Sequence, residues 1–325
     1  MESCQKMKSF AGNMSQCDVL TLTWGDVCEN GPGMQKIGNL SDGGYSVEEL
    51  EGFKSGFEEV GCKCEMFELN DMLKDVVIEG VDISKVEVGK VLVIREGMKM
   101  LLGENSMDDM WKEQIGLNVD KKVFMRGKVK NKLARYNLCF GEVAQDPNYE
   151  EKKGRVYSYD SLKCLNEIRN NMEKFFGKSS LELKCEGNYY YDLKKCGIGF
   201  HGDGERKKVI GMRMGKSMLL SYGWFYKFYN VGGVMNIELN NGDMYVMSEK
   251  SVGFDWKRSS ILTLRHAGGV LGSKYLKYKV KVEEEEKKDD FSKEKEVIKV
   301  LLRDMNKKEK MKLLKELFME VKKEK

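Results

Sequence analysis

Apolar and polar positions alternate most clearly in the second half of the chain. Short apolar-rich runs occupy Leu181–Cys185, Gly197–His201, Ser217–Tyr222, Val234–Leu239, Asp243–Met247 and Ser260–His266, separated by Gly, Asn and charged residues. Runs of this kind, bounded by turn formers, predict strands, and six or more at this spacing predict an antiparallel sandwich or barrel. Asn240-Asn241-Gly242-Asp243, between two of them, has the composition of a hairpin turn, because Asn and Gly enter the left-handed backbone region cheaply. The chain has only two prolines, so few strands are interrupted.

Helical spacing is found elsewhere. Leu162, Leu165, Ile168, Met172 and Phe175 or Phe176 predict a helix over Ser161–Phe176, stopped by Gly177. Ser46, with Glu49 three residues later, predicts a capped helix start. Asp82–Ile94 alternates and then becomes apolar, as strands do. Near the end, Val297, Ile298, Leu301, Leu302 and Met305 form one apolar stripe, and Met311, Leu314, Phe318 and Val321 another. They predict two amphipathic helices broken near Asn306, packing on the core with a lysine-rich face in water or holding an anionic partner.

Three regions follow from these patterns. Residues 1–125 form an α+β region without a functional motif, structural or substrate-selecting in role. Residues 126–282 form the core, and 283–325 a charged linker followed by the helices.

Composition narrows the class. A chain of 325 residues, 41% hydrophobic, buries a sizeable core in one large or two modest domains. No apolar run approaches the about 18 residues of a membrane span, and the first residues lack a secretory apolar stretch. The expectation is a protein of the cell interior, cytoplasm or nucleus, with no membrane partner. Nine cysteines, an odd number without a Cys-x-x-Cys pair, read as reduced structural thiols; the tight spacing of Cys62 and Cys64 makes a poor zinc site. The formal charge of +4 resides in the tail, where residues 291–325 carry 12 Lys and Arg against 7 Asp and Glu.

The candidate chemistry begins with the two histidines. His201 opens a His-Gly-Asp triplet with Asp203, and His266 lies on a later run. Two histidines and one carboxylate are the ligand set of a non-haem iron(II) facial triad. In a strand, residues i and i+2 share a face, so His201 and Asp203 point together while His266 arrives from a neighbouring strand.

The stretch from Asn188-Tyr189-Tyr190 to His201-Gly202-Asp203-Gly204-Glu205-Arg206 resembles the AlkB-like branch of the iron(II)- and 2-oxoglutarate-dependent dioxygenases. Ala134–Gly141, Arg155–Tyr159 and the Leu239–Met247 segment resemble the same branch, so the likeness covers roughly residues 131–278. It implies a double-stranded β-helix (jelly-roll) oxygenase core with flanking helices. His201 and Asp203 would be metal ligands, and Asn188 and Tyr190 would hydrogen-bond 2-oxoglutarate. Glu205, Arg206 and Arg265 would shape the substrate mouth.

The resemblance offers two registers for the rest of the site. In the AlkB-like one, no histidine stands near Gly253–Lys257; Asp255 would complete the metal site, and Arg258 or Arg265 would hold the co-substrate carboxylate. In the other, His266-Ala267-Gly268 followed by Gly272-Ser273-Lys274 resembles the prolyl-hydroxylase-type ending. His266 would then bind iron, and Lys274 or Lys277 would pair with 2-oxoglutarate. The second register is favoured, since it uses the remaining histidine. The implied activity consumes O2 and 2-oxoglutarate, releases succinate and carbon dioxide, and hydroxylates or dealkylates a second substrate. A nucleic-acid base is the first expectation, a protein side chain the alternative, and an inactive binding module of the same fold the third.

Overall fold

The computed structural model describes residues 17–269, within a unit spanning Met1–Tyr278. The expected tail helices, Lys274 and Lys277 lie outside the described residues.

The first half contributes β1 (Val19–Gly25), β2 (Val27–Glu29), β3 (Lys36–Gly38), β4 (Cys64–Glu68), β5 (Lys90–Ile94), β6 (Lys122–Met125) and β7 (Lys128–Asn131). Next come β8 (Tyr136–Gly141), β9 (Val156–Ser158), β10 (Lys184–Tyr190), β11 (Ile198–His201) and β12 (Val209–Gly215). The last strands are β13 (Met218–Tyr226), β14 (Tyr229–Leu239), β15 (Met244–Met247) and β16 (Thr263–Gly268). The helices are α1 (Val47–Glu59), α2 (Met107–Ile115), α3 (Lys163–Phe176) and the single turn α4 (Glu249–Val252).

Eight strands form one sheet in the order β4-β5-β15-β12-β1-β10-β8-β9, and four form a second in the order β11-β16-β13-β14. The two remaining pairs, β2–β3 and β6–β7, are separate ribbons. The fold is mixed α+β and mostly sheet.

Alternation along the strands builds the layers. Leu20, Leu22 and Trp24 of β1, Ile210, Met212 and Met214 of β12, and Met244 and Val246 of β15 share one buried core with Leu50 and Phe57 of α1 and Leu165, Ile168 and Met172 of α3. Phe57 and Phe175 stack with centroids 4.3 Å apart, tying α1 to α3. The opposite face of the large sheet sends Val91, Val93, Val209, Tyr245 and Met247 into a second core with Leu220, Tyr222, Trp224 and Leu264 of the small sheet. The sheets therefore pack face to face with helices outside the larger one, an open two-sheet arrangement and not a closed barrel.

The helix start at Ser46 forms as its sequence predicts. Glu49 N–H donates to Ser46 Oγ at 3.1 Å, and Ser46 N–H donates to the Glu49 carboxylate at 2.7 Å. Gly177 stops α3 with φ +74°.

Other expectations change. Asp82–Ile94 is not one strand: the Asp82 carboxylate accepts from Ser84 N–H and caps a 3₁₀ turn over Ile83–Lys85, and pairing begins only at Lys90. Leu181–Cys185 is likewise split, with a 3₁₀ turn over Lys178–Glu182 before β10. The turn at Asn240–Asp243 forms, with Gly242 at φ +88°, yet it makes no hairpin, because β14 and β15 belong to different sheets. The buried Asp243 carboxylate explains this. It accepts from Asn240 N–H, Glu96 N–H and Arg95, which pins the corner onto the large sheet beside β5. Residues on either side of position 125 share the large sheet, since β1 lies between β10 and β12.

Candidate metal centre and the cavity beside it

β11 and β16 pair antiparallel, with His201 directly opposite His266. The strand ends at His201, so Asp203 lies in the following turn, where its N–H donates to Val252 O at 3.0 Å. That turn depends on Gly202. A Cβ there would lie 2.0 Å from Gly253 O, so only glycine permits this approach of the two backbones. Asp203 Oδ1 lies 3.6 Å from His201 Nε2 and 3.5 Å from His266 Nε2. One ligand atom from each of the three residues falls within 4.8 Å of the others.

The electrostatics suit a cation. Burial, then the neighbouring His266, pushes His201 down to about 4, so its imidazole is neutral at physiological pH. His201 Nδ1 lies 2.8 Å from Gly199 O; donation there leaves the Nε2 lone pair facing Asp203. Burial alone would raise the Asp203 carboxyl, but Arg206 and the two histidines outweigh it and hold the group below its ordinary value. Two imidazoles and one carboxylate fit a divalent transition-metal ion.

These residues sit on the wall of a cavity of about 550 Å³ between the sheets. Asn188 and Tyr190 of β10 line it, as do Glu205 and Arg206. The Asn188 side chain is already engaged: its oxygen accepts from Arg135 and from Asn137 Nδ2 at 2.7 Å, and its Nδ2 donates to Glu186 at 3.0 Å. Arg206 is buried between Glu186 at 2.8 Å and Glu205 at 2.9 Å. Thr21 and Thr23 of β1 also line the cavity, so the N-terminal region without a motif contributes to its wall.

Three expected residues are elsewhere. Arg265 does not line the cavity. Neighbours on a strand point to opposite faces, so with His266 turned inward Arg265 turns outward. Its guanidinium lies 4.4 Å from the Phe225 ring centroid and 5.4 Å from that of Trp256. Asp255 lies outside the His201–Asp203–His266 cluster, and its carboxylate bonds Lys250 Nζ at 2.8 Å. Arg258 lies on a different depression, with Lys85 and Ser260.

Sequence reasoning missed Arg213. It is 2% exposed on the cavity wall, and its Nε and Nη1 have no hydrogen-bond partner. Burial pulls its guanidinium below its ordinary value, opposed by Tyr245 and Tyr190. A buried cation without a partner is costly, and an anion in the cavity would relieve it. The signal was present in Val209-Ile210-Gly211-Met212-Arg213-Met214, a strand-like run with one charge among apolar residues.

No protein-family model matches the sequence. The chain is 45% identical over 252 residues to "Uncharacterized protein R156" of Acanthamoeba polyphaga mimivirus, a span covering 78% of this chain and 96% of that protein. At that identity and coverage, the chain belongs to the same family as the mimivirus protein.

Proposed function

We propose that the chain is an iron(II)- and 2-oxoglutarate-dependent dioxygenase with a jelly-roll core. The convergence of His201, Asp203 and His266 beside a cavity carries this reading. The corner at Asn240–Asp243, which passes the chain from one sheet to the other, supports the double-stranded β-helix connectivity.

Iron(II) held by these three residues would supply the oxidising chemistry, consuming O2 and 2-oxoglutarate and yielding succinate, carbon dioxide and a hydroxylated product. The protein's own tasks are positional. His201 and His266 offer their ring nitrogens, and Asp203 brings the balancing charge. Arg213, between Tyr190 and Tyr245, offers a desolvated cation to the far carboxylate of 2-oxoglutarate.

A nucleic-acid base is the proposed second substrate. The AlkB-like stretch from Asn188 to Arg206 supports it, and so do the exposed Lys36 and Lys257 on the cavity lining, suited to phosphates. A peptide is the second reading, favoured by one observation. Among the described residues, β11, which carries His201, is the edge strand of the small sheet, a position to which an extended peptide could add.

Anaerobic titration of the purified chain with iron(II), followed by succinate measurement with 2-oxoglutarate and O2, tests the proposal. One iron per chain and iron-dependent succinate formation are expected. Absence of iron binding, or binding without 2-oxoglutarate turnover under any substrate, would refute it.

A further inference from the structure

The two oxygens of Asp203 face different neighbourhoods. Oδ1 is directed to both histidine Nε2 atoms, at 3.6 and 3.5 Å, while Oδ2 lies 3.5 Å from Arg206 Nε, an ion-pair contact, since the Nε hydrogen itself is donated to Glu205 Oε1 at 3.2 Å. Arg206 is 3% exposed, and its Nη2 is fixed from behind by Glu186 Oε2 and Glu205 Oε1. Glu186 is fixed in turn, accepting from Asn188 Nδ2 at 3.0 Å and from Glu29 N–H at 3.1 Å. A buried polar chain thus runs from Asn137 through Asn188, Glu186 and Arg206 to the carboxylate of the metal centre.

A carboxylate ligand binds a metal through one oxygen or two, and an unengaged second oxygen readily joins the first. Two-oxygen binding by Asp203 would take up a position otherwise open to co-substrate or oxygen. We infer that Arg206 is a positioning residue: by setting its buried guanidinium charge beside Oδ2 it restricts Asp203 to one-oxygen ligation and keeps that coordination position open. Asn188 acts through the same chain, since its oxygen accepts from Arg135 and Asn137 while its Nδ2 donates to Glu186. The inference rests on the metal site proposed above.

Manganese(II) is the probe, because the water-proton relaxation it causes when bound reports how many exchangeable waters it carries. The full chain should bind one manganese with about three such waters, the positions that a facial triad leaves open. Arg206→Gln should still bind one manganese but lose about one third of the relaxation per bound ion, as Asp203 Oδ2 replaces a water. That variant leaves Glu186 buried and unpaired and risks failing to fold. The double variant Arg206→Gln/Glu186→Gln removes both charges and should show the same loss. Unchanged relaxation in a folded variant of either kind overturns the inference while leaving the metal site standing. Failure of the parent chain to bind manganese overturns the metal site and the inference with it.

Discussion

His201 and His266 are cross-strand partners on β11 and β16, with ring centroids 4.5 Å apart and tilted by 58°. Two imidazoles so close are held by antiparallel register, which fixes both backbones at the same level of the sheet. Their Nε2 atoms share one carboxylate oxygen as neighbour, so the pair is set up before any ion arrives.

Replacing His266 by Ala should therefore weaken iron(II) binding by more than about 100-fold, since loss of a ligand exceeds the loss from an outer partner. Asp255→Ala should leave it unchanged, because Asp255 is engaged by Lys250. Calorimetric titration under anaerobic conditions separates the two. Tight binding by the His266 variant would reject the ligand assignment.

Arg213→Met should preserve iron binding and raise the apparent Michaelis constant for 2-oxoglutarate. A lost charge-assisted hydrogen bond of about 1.5–3 kcal/mol corresponds to roughly ten- to more than hundred-fold. Methionine keeps most of the volume, so collapse of the cavity does not confuse the result. A Michaelis constant equal to that of the parent would place the carboxylate elsewhere, with the lysines at 274 and 277 next in line.

The metal-free chain should lose stability on mild acidification. An unfolded His201 takes up a proton near 6.5, whereas the folded one resists until about 4. Between those values the unfolded chain binds more protons, so stability rises with pH and is lost as pH falls through the window. Thermal midpoints between pH 4 and 7 should show this slope, and His201→Asn should reduce it. Identical slopes in the two proteins would mean that His201 is not held neutral by the fold.

Gly202→Ala should damage the metal centre without touching a ligand. Its Cβ would meet Gly253 O at 2.0 Å and, beyond that, the Trp256 side chain, forcing the Asp203 turn outward. A cost of about 1–3 kcal/mol in stability is expected for such overpacking, together with weaker iron binding. Denaturant titration and calorimetry read the two effects, and an unaltered protein would show that the turn has slack.

The sequence revealed the triad because its residues are chemically rare: with two histidines in the chain, their pairing with Asp203 was a short deduction. Helix α3 and the start of α1 were legible for a related reason, since spacing and capping are local. What stayed hidden was non-local. Nothing within Asn240–Asp243 tells that Asp243 is held by Arg95, so a hairpin was the natural reading of a corner between sheets. Arg265 was misplaced because residue type suggested a substrate contact, while strand alternation beside His266 dictates the opposite face. Arg213 lay in a strand-like run, but only pairing with β1 and β15 brings its side chain to the cavity wall.

The central place of β1 has a consequence for how the molecule is made. The ribosome releases this strand before either neighbour, since Asn188, which meets Thr23 across the strand pair, follows 165 residues later. At about 5–20 residues per second, that interval is on the order of ten seconds or longer. Throughout it, Leu20, Leu22 and Trp24 have neither flanking strand, and the nascent chain carries an apolar ribbon with two bare edges. Unpaired edges of this kind are templates for wrong strand pairing, so the late arrival of β10 and β12 sets the interval over which β1 is exposed to it.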